Sequence, residues 1–490
     1  MSKFDFMEAA IDDIHKAILA KVISSRDLVE FYLNRIDSYD KQGPSLNSII
    51  LINPRAREEA DKLDEDFKKT GKLSGPLHGI PVLLKDNVDA YGMPTTAGSL
   101  SLEGNIPECD SFITAKLRQS GAIILAKTNL HEFAIWGETV SSILGQTLNP
   151  YDLSRTPGGS SGGTGAGIAA NFGVIGIGTD SVNSIRSPAS ANCLVGIRPT
   201  LGMVSRSGIV PYSHTQDTAG PICRTVKDAV LTLDAIAAYD SADAETARSA
   251  GLIPDKGYAA FLKKDGLKGK RIGILESFFG KEEINTEVNM LTRKAIDICS
   301  QNGSEIISLD ESLESPWLVS NVSVHMDEFK DHLNSYLQKL APNAKVHSLE
   351  EIMACGLYHP SIKANLDTAM TLSTKTPEYN KKLVLKTEAQ IRVMKLMIDN
   401  GLDAIVFPHQ QQLVCKVGES QQQRNGVLSS VTGCPSIAVP VGFSAPTIDA
   451  PLGVPVGMEI FGRPWSEPLL IEIAYGFEQA TQFRKAPIGF

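Results

Sequence analysis

Three serines stand where they could take part in nucleophilic chemistry. Ser160 and Ser161 lie in the run PGGSSGGTGAG, and Ser184 lies in GTDSVNSIR. No histidine occurs between His131 and His214. A serine hydroxyl is a weak nucleophile until a neighbouring group takes its proton. If one of these serines is catalytic, its base is therefore expected to be something other than a nearby histidine.

Lys85 is the candidate for that base. It ends the apolar run IPVLL, which predicts a short strand, and Asp86 follows it. Burial penalises an ammonium group and lowers its pKa, so a buried Lys85 could act as a neutral amine. An ordinary surface ion pair is the alternative, and Asp86 would raise the pKa of Lys85 if its carboxylate faced the amine. The residues alone leave both interpretations open.

The glycine–serine run has three other interpretations. A G-x-S-x-G pattern marks a nucleophile elbow when it directly follows a strand, but here Pro150 and Pro157 precede it. A phosphate-binding loop needs a Gly-Lys-Ser/Thr ending or a dinucleotide-type spacing, and the run has neither. A tight structural connection is the plain alternative, and only the neighbouring motifs argue against it.

Three motifs together resemble the amidase signature family. They are GIPVLLKDN, TPGGSSGGTGAG and GTDSVNSIRSPAS, and their order and spacing match that family. The segments NPYDLSRTPGGSSGG and TQDTAGPICRTVKDA extend the likeness. It is strong over residues 75–230, weaker from residue 402 onwards, and absent between about residues 265 and 400.

The resemblance implies a role for each residue of these motifs. Ser184 would be the nucleophile, Ser160 would follow a cis peptide bond and relay the proton, and Lys85 would be the base. The expected oxyanion hole consists of the backbone N–H groups of Ser181, Val182, Asn183 and Ser184. The expected supporting residues are Ser161, Asp180 and Arg186.

One pair of residues departs from the family pattern. The family commonly has Gly-Gly before the nucleophile, and this chain has Val182 and Asn183. Asparagine tolerates a left-handed backbone, whereas valine strongly disfavours it. We therefore expect either an ordinary backbone at position 182 or a distorted oxyanion hole. We interpret the pair as a feature that narrows the site and shapes specificity, with loss of activity as the alternative.

The elements that must position these residues indicate an α/β fold. The resemblance implies the amidase signature fold, with a central mixed β-sheet flanked by helices on both sides. We predict one domain over residues 1–490, composed of N-terminal helices (1–65), a catalytic core (66–260), a variable substrate-shaping region (261–400) and a C-terminal part of the core sheet (401–490). Ser24 or Ser25 is expected to cap a helix, and VNSIRSPAS is expected to form a turn.

The composition of the chain limits the classes of partner that are expected. The formal net charge of −9 argues against nucleic acid as the main partner, because a phosphate-binding surface needs a basic field. The seven cysteines include no CxxC pair, so neither a zinc site nor a disulfide framework is predicted. No apolar run is long enough to span a bilayer, and the acidic N-terminus does not resemble a signal peptide. We expect a cytoplasmic protein without metal or cofactor, with a homodimer as one option for its assembly.

The function that the resemblance implies is hydrolysis of linear amides, with carbamates and esters as further substrates. Two alternatives are an A-type amidotransferase component of a complex and a non-catalytic binding homologue. Other conspicuous residues have plain interpretations. His131 and Glu132 are expected on a helix face, with a catalytic role as the alternative, and Trp136 is expected in the core or a pocket wall. The segments HQQQ from His409 and SQQQRN from Ser420 are expected to be polar loops, with the lining of a pocket mouth as the alternative.

Overall fold

A large mixed sheet forms the centre of the molecule. The computed structural model describes residues 4–490, and eleven of their strands form this sheet. The thirteen strands of the described residues are β1 (Ile49–Ile52), β2 (Pro81–Lys85), β3 (Ile123–Thr128), β4 (Val140–Ser141), β5 (Gly145–Gln146), β6 (Ile175–Asp180), β7 (Val195–Arg198), β8 (Thr218–Cys223), β9 (Arg271–Leu275), β10 (Glu305–Leu309), β11 (Ala404–Pro408), β12 (Ser436–Phe443) and β13 (Pro455–Phe461). Their order is β1-β3-β2-β6-β8-β7-β12-β13-β11-β9-β10, and β4 pairs with β5 separately.

Helices flank the sheet, as predicted for an α/β fold. They are α1 (Ile11–Leu19), α2 (Ser25–Arg35), α3 (Ala56–Thr70), α4 (Phe112–Gln119), α5 (Gly162–Ala169), α6 (Arg186–Ala191), α7 (Val226–Ile236), α8 (Thr286–Gln301), α9 (Ser315–Trp317), α10 (His325–Leu337), α11 (Leu349–Cys355), α12 (Lys363–Thr371), α13 (Pro377–Asp399), α14 (Val427–Thr432) and α15 (Glu467–Thr481). A short 3₁₀ turn, Glu132–Ala134, is the other helical element that matters below.

Two neighbouring parallel strands bring two of the three recognised motifs together. β2 pairs in parallel with β6, and Leu84 is the register partner of Ile177. All side chains of both strands are buried, which fits their nearly continuous apolar sequences. Because parallel strands end at the same edge of a sheet, Lys85 at the end of β2 and Asp180 at the end of β6 lie at one edge.

Helix α5 begins within the glycine–serine run. Its first residues have no room for side chains: a Cβ at Gly162 would lie 2.2 Å from Thr139 Oγ1, and one at Gly163 would lie 2.4 Å from the carbonyl oxygen of Asn129. The helix packs against β2 and β6. The glycines therefore let the start of the helix lie close against Thr139 and Asn129, and Ser160 and Ser161 directly precede this start.

The structure differs from the sequence-based predictions in several elements. Residues 1–65 contain a strand, β1, in addition to helices, and it pairs antiparallel with β3. The segment VNSIRSPAS was expected as a turn, but helix α6 begins within it at Arg186. Strands β7 and β8 and helix α7 were not predicted. The cap at Ser24 is confirmed, because its side chain accepts a hydrogen bond from Asp27 N at 3.1 Å.

The region 261–400 begins with strands β9 and β10 and continues as helices. Helices α10, α11 and α12 form an apolar cluster that also contains Ala97, Phe133 and Tyr212. This cluster places the helices beside the segments that follow β2 and β3 and precede β8. The division into four parts within one domain stays a prediction, as does the role of this region in substrate choice.

The structure also describes the state of the cysteines and the apolar character of the helices. All seven cysteines are free thiols. Across residues 4–490, none of the helices combines the length and the apolar character needed to cross a membrane.

Candidate functional site

Lys85 is completely buried at the centre of the site. Its Nζ donates to Ser160 Oγ and to Thr179 Oγ1, both at 2.8 Å. It makes no ion pair with any residue between 4 and 490. Burial lowers the pKa of Lys85 to about 7, although the negative charges of Asp180 and Asp217 oppose this effect. Near neutral pH this amine is therefore poised between its charged and neutral forms.

Asp86 does not face the amine of Lys85. Its carboxylate lies 3.0 Å from Lys127 Nζ and accepts hydrogen bonds from the backbone and hydroxyl of Thr96. Asp86 and Lys127 are both buried and form a separate ion pair. The condition under which Asp86 would raise the pKa of Lys85 is therefore not met.

Ser160 is held in place through its backbone. The Gly159–Ser160 peptide bond is cis, as the resemblance implies. The carbonyl oxygen of Ser160 accepts from His131 N at 3.0 Å, and Gly159 N donates to Ser187 Oγ at 3.3 Å. These contacts fix the backbone of Ser160 between the segment that follows β3 and the start of α6.

The turn at residues 181–184 has an unusual pattern of hydrogen bonds. All four of its carbonyl oxygens accept a hydrogen bond, from Gln216 Nε2 at 3.0 Å, Arg186 Nη2 at 2.8 Å, Ser187 N at 2.8 Å and Ser161 N at 3.3 Å. None of its four N–H groups donates to an acceptor within residues 4–490. Free backbone donors next to a nucleophile are what an oxyanion needs.

The departure at Val182 and Asn183 does not distort this turn. Neither residue has a positive φ. The Val182 side chain packs against a buried apolar cluster that includes Leu318 and Val427. The Asn183 side chain lies against Gly426, where an added Cβ would come within 2.5 Å of the Asn183 Cβ. The first of the two expectations, an ordinary backbone at position 182, is therefore confirmed.

A proton relay from Ser184 through Ser160 to Lys85 needs two hydrogen bonds, and the structure contains one of them. The Lys85–Ser160 hydrogen bond is present at 2.8 Å. The hydroxyl of Ser184, a largely buried residue, makes no hydrogen bond with Ser160 or with any other group of residues 4–490. The Ser184 hydroxyl is thus left without a partner beside the free backbone donors.

A buried charge network lies beneath the turn. Asp180 accepts from Ile185 N at 3.0 Å and pairs with Arg186 at 3.1 Å and with Arg198 at 2.8 Å. Burial alone would raise the pKa of Asp180, but the two guanidinium groups outweigh it and hold the pKa far below its usual range. Arg186 also pairs with Glu459 of β13 at 2.7 Å. Two of the expected supporting residues, Asp180 and Arg186, therefore lie directly against the turn.

Two residues were missed by the sequence analysis. Thr179 accepts from Lys85, and its backbone is held by Ser161, whose Oγ donates to Thr179 O at 3.2 Å. Asp217 accepts from Ser181 Oγ at 2.5 Å and from two backbone N–H groups at 2.8 Å. Thr179 directly precedes Asp180 in GTDSVNSIR, and Asp217 lies in TQDTAGP, so both belonged to recognised motifs. A threonine or an aspartate at these positions does not by itself predict these hydrogen bonds.

Several plain interpretations need correction. His131 and Glu132 do not lie on an α-helix face, because only the short 3₁₀ turn Glu132–Ala134 forms there. His409 is fully buried and does not line a pocket mouth; its Nδ1 lies 2.7 Å from Glu459 Oε1. Trp136 is partly exposed, and its Nε1 donates to Asn365 of α12 at 2.6 Å.

A small cavity lies beside Thr179, the residue that accepts from Lys85. It is lined by polar groups that include Asn87, Ser181 and Asp217, and Asn87 Nδ2 donates to Thr179 Oγ1 at 3.0 Å. Within residues 4–490, no three histidine, cysteine, aspartate or glutamate side chains converge in an arrangement suited to a metal ion. The arrangement supplies a buried amine, two hydroxyls and free amides, which can transfer protons and stabilise negative charge.

Comparison with known proteins gives consistent matches over nearly the whole chain. A model of the Amidase family matches residues 27–471, which includes the region 265–400 that carried no motif. A probable amidase of Arabidopsis thaliana is 36% identical over 99% of this chain and 92% of its own length. The A-type component of glutamyl-tRNA(Gln) amidotransferase from Gloeothece citriformis is 33% identical over 97% of this chain and 98% of its own. The native peptide amidase of Stenotrophomonas maltophilia superposes with a TM-score of 0.89 at 35% identity, covering 98% of this chain and 99% of that one.

Proposed function

This chain belongs to the amidase family, and from that membership we propose that it cleaves linear amides through an acyl-enzyme on Ser184. The family match confirms the resemblance on which the motif analysis relied. The observation that carries the proposal is the turn at residues 181–184, where every carbonyl is bound and every amide is free. The buried hydrogen bond from Lys85 to Ser160 supports a base within reach of that turn.

The first half of the proposed reaction acylates Ser184. Neutral Lys85 takes the hydroxyl proton of Ser160, and Ser160 takes that of Ser184, so that Ser184 Oγ attacks the amide carbon. The oxygen of the tetrahedral intermediate becomes negative and is stabilised by N–H groups of residues 181–184. A single donor of this kind contributes about 3–4 kcal/mol to a barrier. For the relay to operate, the Ser184 hydroxyl must rotate onto Ser160 when substrate binds.

The second half releases the products. The C–N bond breaks as the proton returns from Lys85 through Ser160 to the leaving nitrogen, which departs as ammonia or an amine. Water then attacks the ester on Ser184, giving its proton to the same relay. The carboxylic acid leaves, and the free Ser184 hydroxyl is restored. In this last step Lys85 returns the water proton through Ser160 to Ser184 Oγ, so that the amine is neutral again.

The substrate class that we favour is peptide-like amides. The support is the similarity to the peptide amidase of Stenotrophomonas maltophilia over both complete chains. Carbamates and esters pass through the same tetrahedral chemistry and are further candidates. A role within an amidotransferase complex is the second candidate, because several relatives of about 30–33% identity are A-type components of glutamyl-tRNA(Gln) amidotransferase. A non-catalytic homologue is the third.

The test is activity of the purified chain alone on a panel of amino acid amides, aliphatic amides, carbamates and esters. We expect ammonia release from amino acid amides without any added protein. Release that requires a partner would favour the role within an amidotransferase complex. No turnover, together with no labelling of Ser184 by a fluorophosphonate probe, would favour the non-catalytic homologue.

A further inference from the structure

The segment 424–426 runs between the two sides of the site. At one end, a Cβ on Gly426 would lie 2.5 Å from the Cβ of Asn183, the residue before the nucleophile. At the other end, a Cβ on Gly137 would lie 2.9 Å from Arg424 Nη1. Gly137 in turn packs on Gly159, whose Cβ would lie 2.9 Å from the Gly137 carbonyl carbon. The Arg424 guanidinium is therefore one glycine away from the cis peptide bond that precedes Ser160.

Arg424 has hydrogen-bond donors to spare. Its Nη2 donates to Glu138 Oε1 at 2.7 Å. Its Nε is buried without an acceptor, and its Nη1 makes no hydrogen bond within residues 4–490. The guanidinium lies 5.5 Å from the ring centre of Trp136, and the backbone of Arg424 pairs with that of Gln410. These contacts hold the side chain in one place, and Nη1 is the unpaired nitrogen that is not fully enclosed.

Glu138 balances the charge of Arg424. Burial raises the pKa of Glu138, but hydrogen bonding to His131 and the positive charge of Arg424 lower it to about 2 overall. Glu138 also accepts from Gln421 N at 2.9 Å and from Gly137 N at 3.1 Å. Since the buried pair is neutral as a whole, its free N–H groups suit an uncharged oxygen better than a second carboxylate, which would meet Glu138 at close range.

We propose that Arg424 is a substrate-binding residue that donates hydrogen bonds to an uncharged carbonyl oxygen in the acyl part of the substrate, beside the exposed ring of Trp136. The inference rests on the proposed amide hydrolysis and specifies the acyl part of the substrates. The substrates it selects carry a second carbonyl beyond the scissile amide, as N-acylated amino acid amides and peptide amides do. Simple aliphatic amides lack this oxygen, and N-succinyl amino acid amides add a carboxylate.

The first test compares wild type with R424K on N-acetyl-leucinamide and on 4-methylpentanamide, which lacks the acetamido group. Lysine can keep the ion pair with Glu138 but loses the spare N–H groups. We expect kcat/KM for the acetylated amide to fall about tenfold or more, since a hydrogen bond from a charged donor is lost. The aliphatic amide should change less than about threefold. Q422A is the matched control, because Gln422 is exposed in the same loop. Equal losses on both substrates, or none on either, would overturn the proposal.

The second test keeps the inference separate from the proposed reaction. In a Ser184→Ala background, binding of N-acetyl-leucinamide is measured by calorimetry with and without R424K. We expect Kd to rise about tenfold, whether or not the wild type hydrolyses this amide; an unchanged Kd refutes the contact.

In the active enzyme, E138Q removes the balancing charge, and the preference for N-succinyl- over N-acetyl-leucinamide should rise about tenfold. An unchanged preference contradicts the charge argument.

Discussion

Arg186 and Glu459 lie 273 residues apart in the chain, and their side chains meet at 2.7 Å in a fully buried ion pair. The same guanidinium binds Asp180 and the carbonyl oxygen of Val182. One residue of β13 is thus connected through Arg186 to the turn that holds Ser184. The geometry of the turn depends on the far half of the sheet as well as on its own motif.

The substitution E459Q should strongly destabilise the fold. It would leave Arg186 buried with only part of its negative surroundings, a change that costs about 3–5 kcal/mol when one partner of a buried pair is lost. Denaturant unfolding monitored by circular dichroism measures this. E472Q is the matched control, because Glu472 pairs near the surface with Lys263 and Lys270. Similar decreases in the free energy of unfolding for the two variants would show that burial of the Arg186 pair is unimportant.

Ser184→Ala should abolish hydrolysis while leaving the fold intact. The side chain makes no hydrogen bond in the structure, so its hydroxyl contributes little to stability. We expect a loss of at least about 10³-fold in kcat and complete loss of fluorophosphonate labelling. Ser181→Ala is the control: it also removes one hydroxyl from the turn, yet it should still be labelled. Retained turnover in Ser184→Ala would reject the nucleophile assignment.

The rate should rise with pH through about 7. Burial lowers the pKa of Lys85 to about 7, and only its neutral form accepts a proton. Below this pH, kcat/KM should fall about tenfold per pH unit, and above it a plateau is expected. A pH–rate profile on one amide measures this. K85R should be inactive at every pH tested, because arginine does not release its proton. A flat profile between about pH 5 and 8 would contradict Lys85 as the base.

Thr179→Val should lower activity by misplacing Lys85. It removes the hydroxyl that accepts from both Lys85 Nζ and Asn87 Nδ2 while nearly keeping the side-chain volume. We expect a loss of about tenfold or more in kcat, on the scale of one buried hydrogen bond. Thr179→Ser keeps the hydroxyl and should retain most of the activity. If the valine and serine variants behave alike, the hydroxyl has no part in positioning the amine.

Val182→Gly should destabilise the protein, because Val182 packs against the apolar cluster around Leu318 and Val427. Loss of a partly buried valine and the added chain freedom cost about 1–3 kcal/mol, which thermal unfolding measures. The double variant V182G/N183G tests the hypothesis that the pair shapes specificity. An unchanged ranking of amide substrates in that variant would refute it.

Much of the site could be predicted from the sequence because its residues belong to three motifs with fixed order. Lys85 ends an apolar run that predicts a strand, so a local pattern placed it. Thr179 and Asp217 escaped notice, since a threonine or aspartate within a motif does not reveal which atom it contacts. Glu459 had no signal at all: its partner is remote in the chain, and only the sheet order brings them together. Arg424 was missed because its partner, Glu138, is also remote in the chain.

The register between β2 and β6, with Leu84 beside Ile177, has a consequence for mutational surveys. Successive side chains of a strand point to opposite faces, so a slip of one position would turn Lys85 away from Ser160. A methyl group at Gly176 would come within 2.5 Å of Thr164 Cγ2, and one at Gly178 within 2.9 Å of Ser161 Oγ. In a random-variant library, damaging substitutions should therefore cluster along the interior of these two strands as well as at the residues that the strands position.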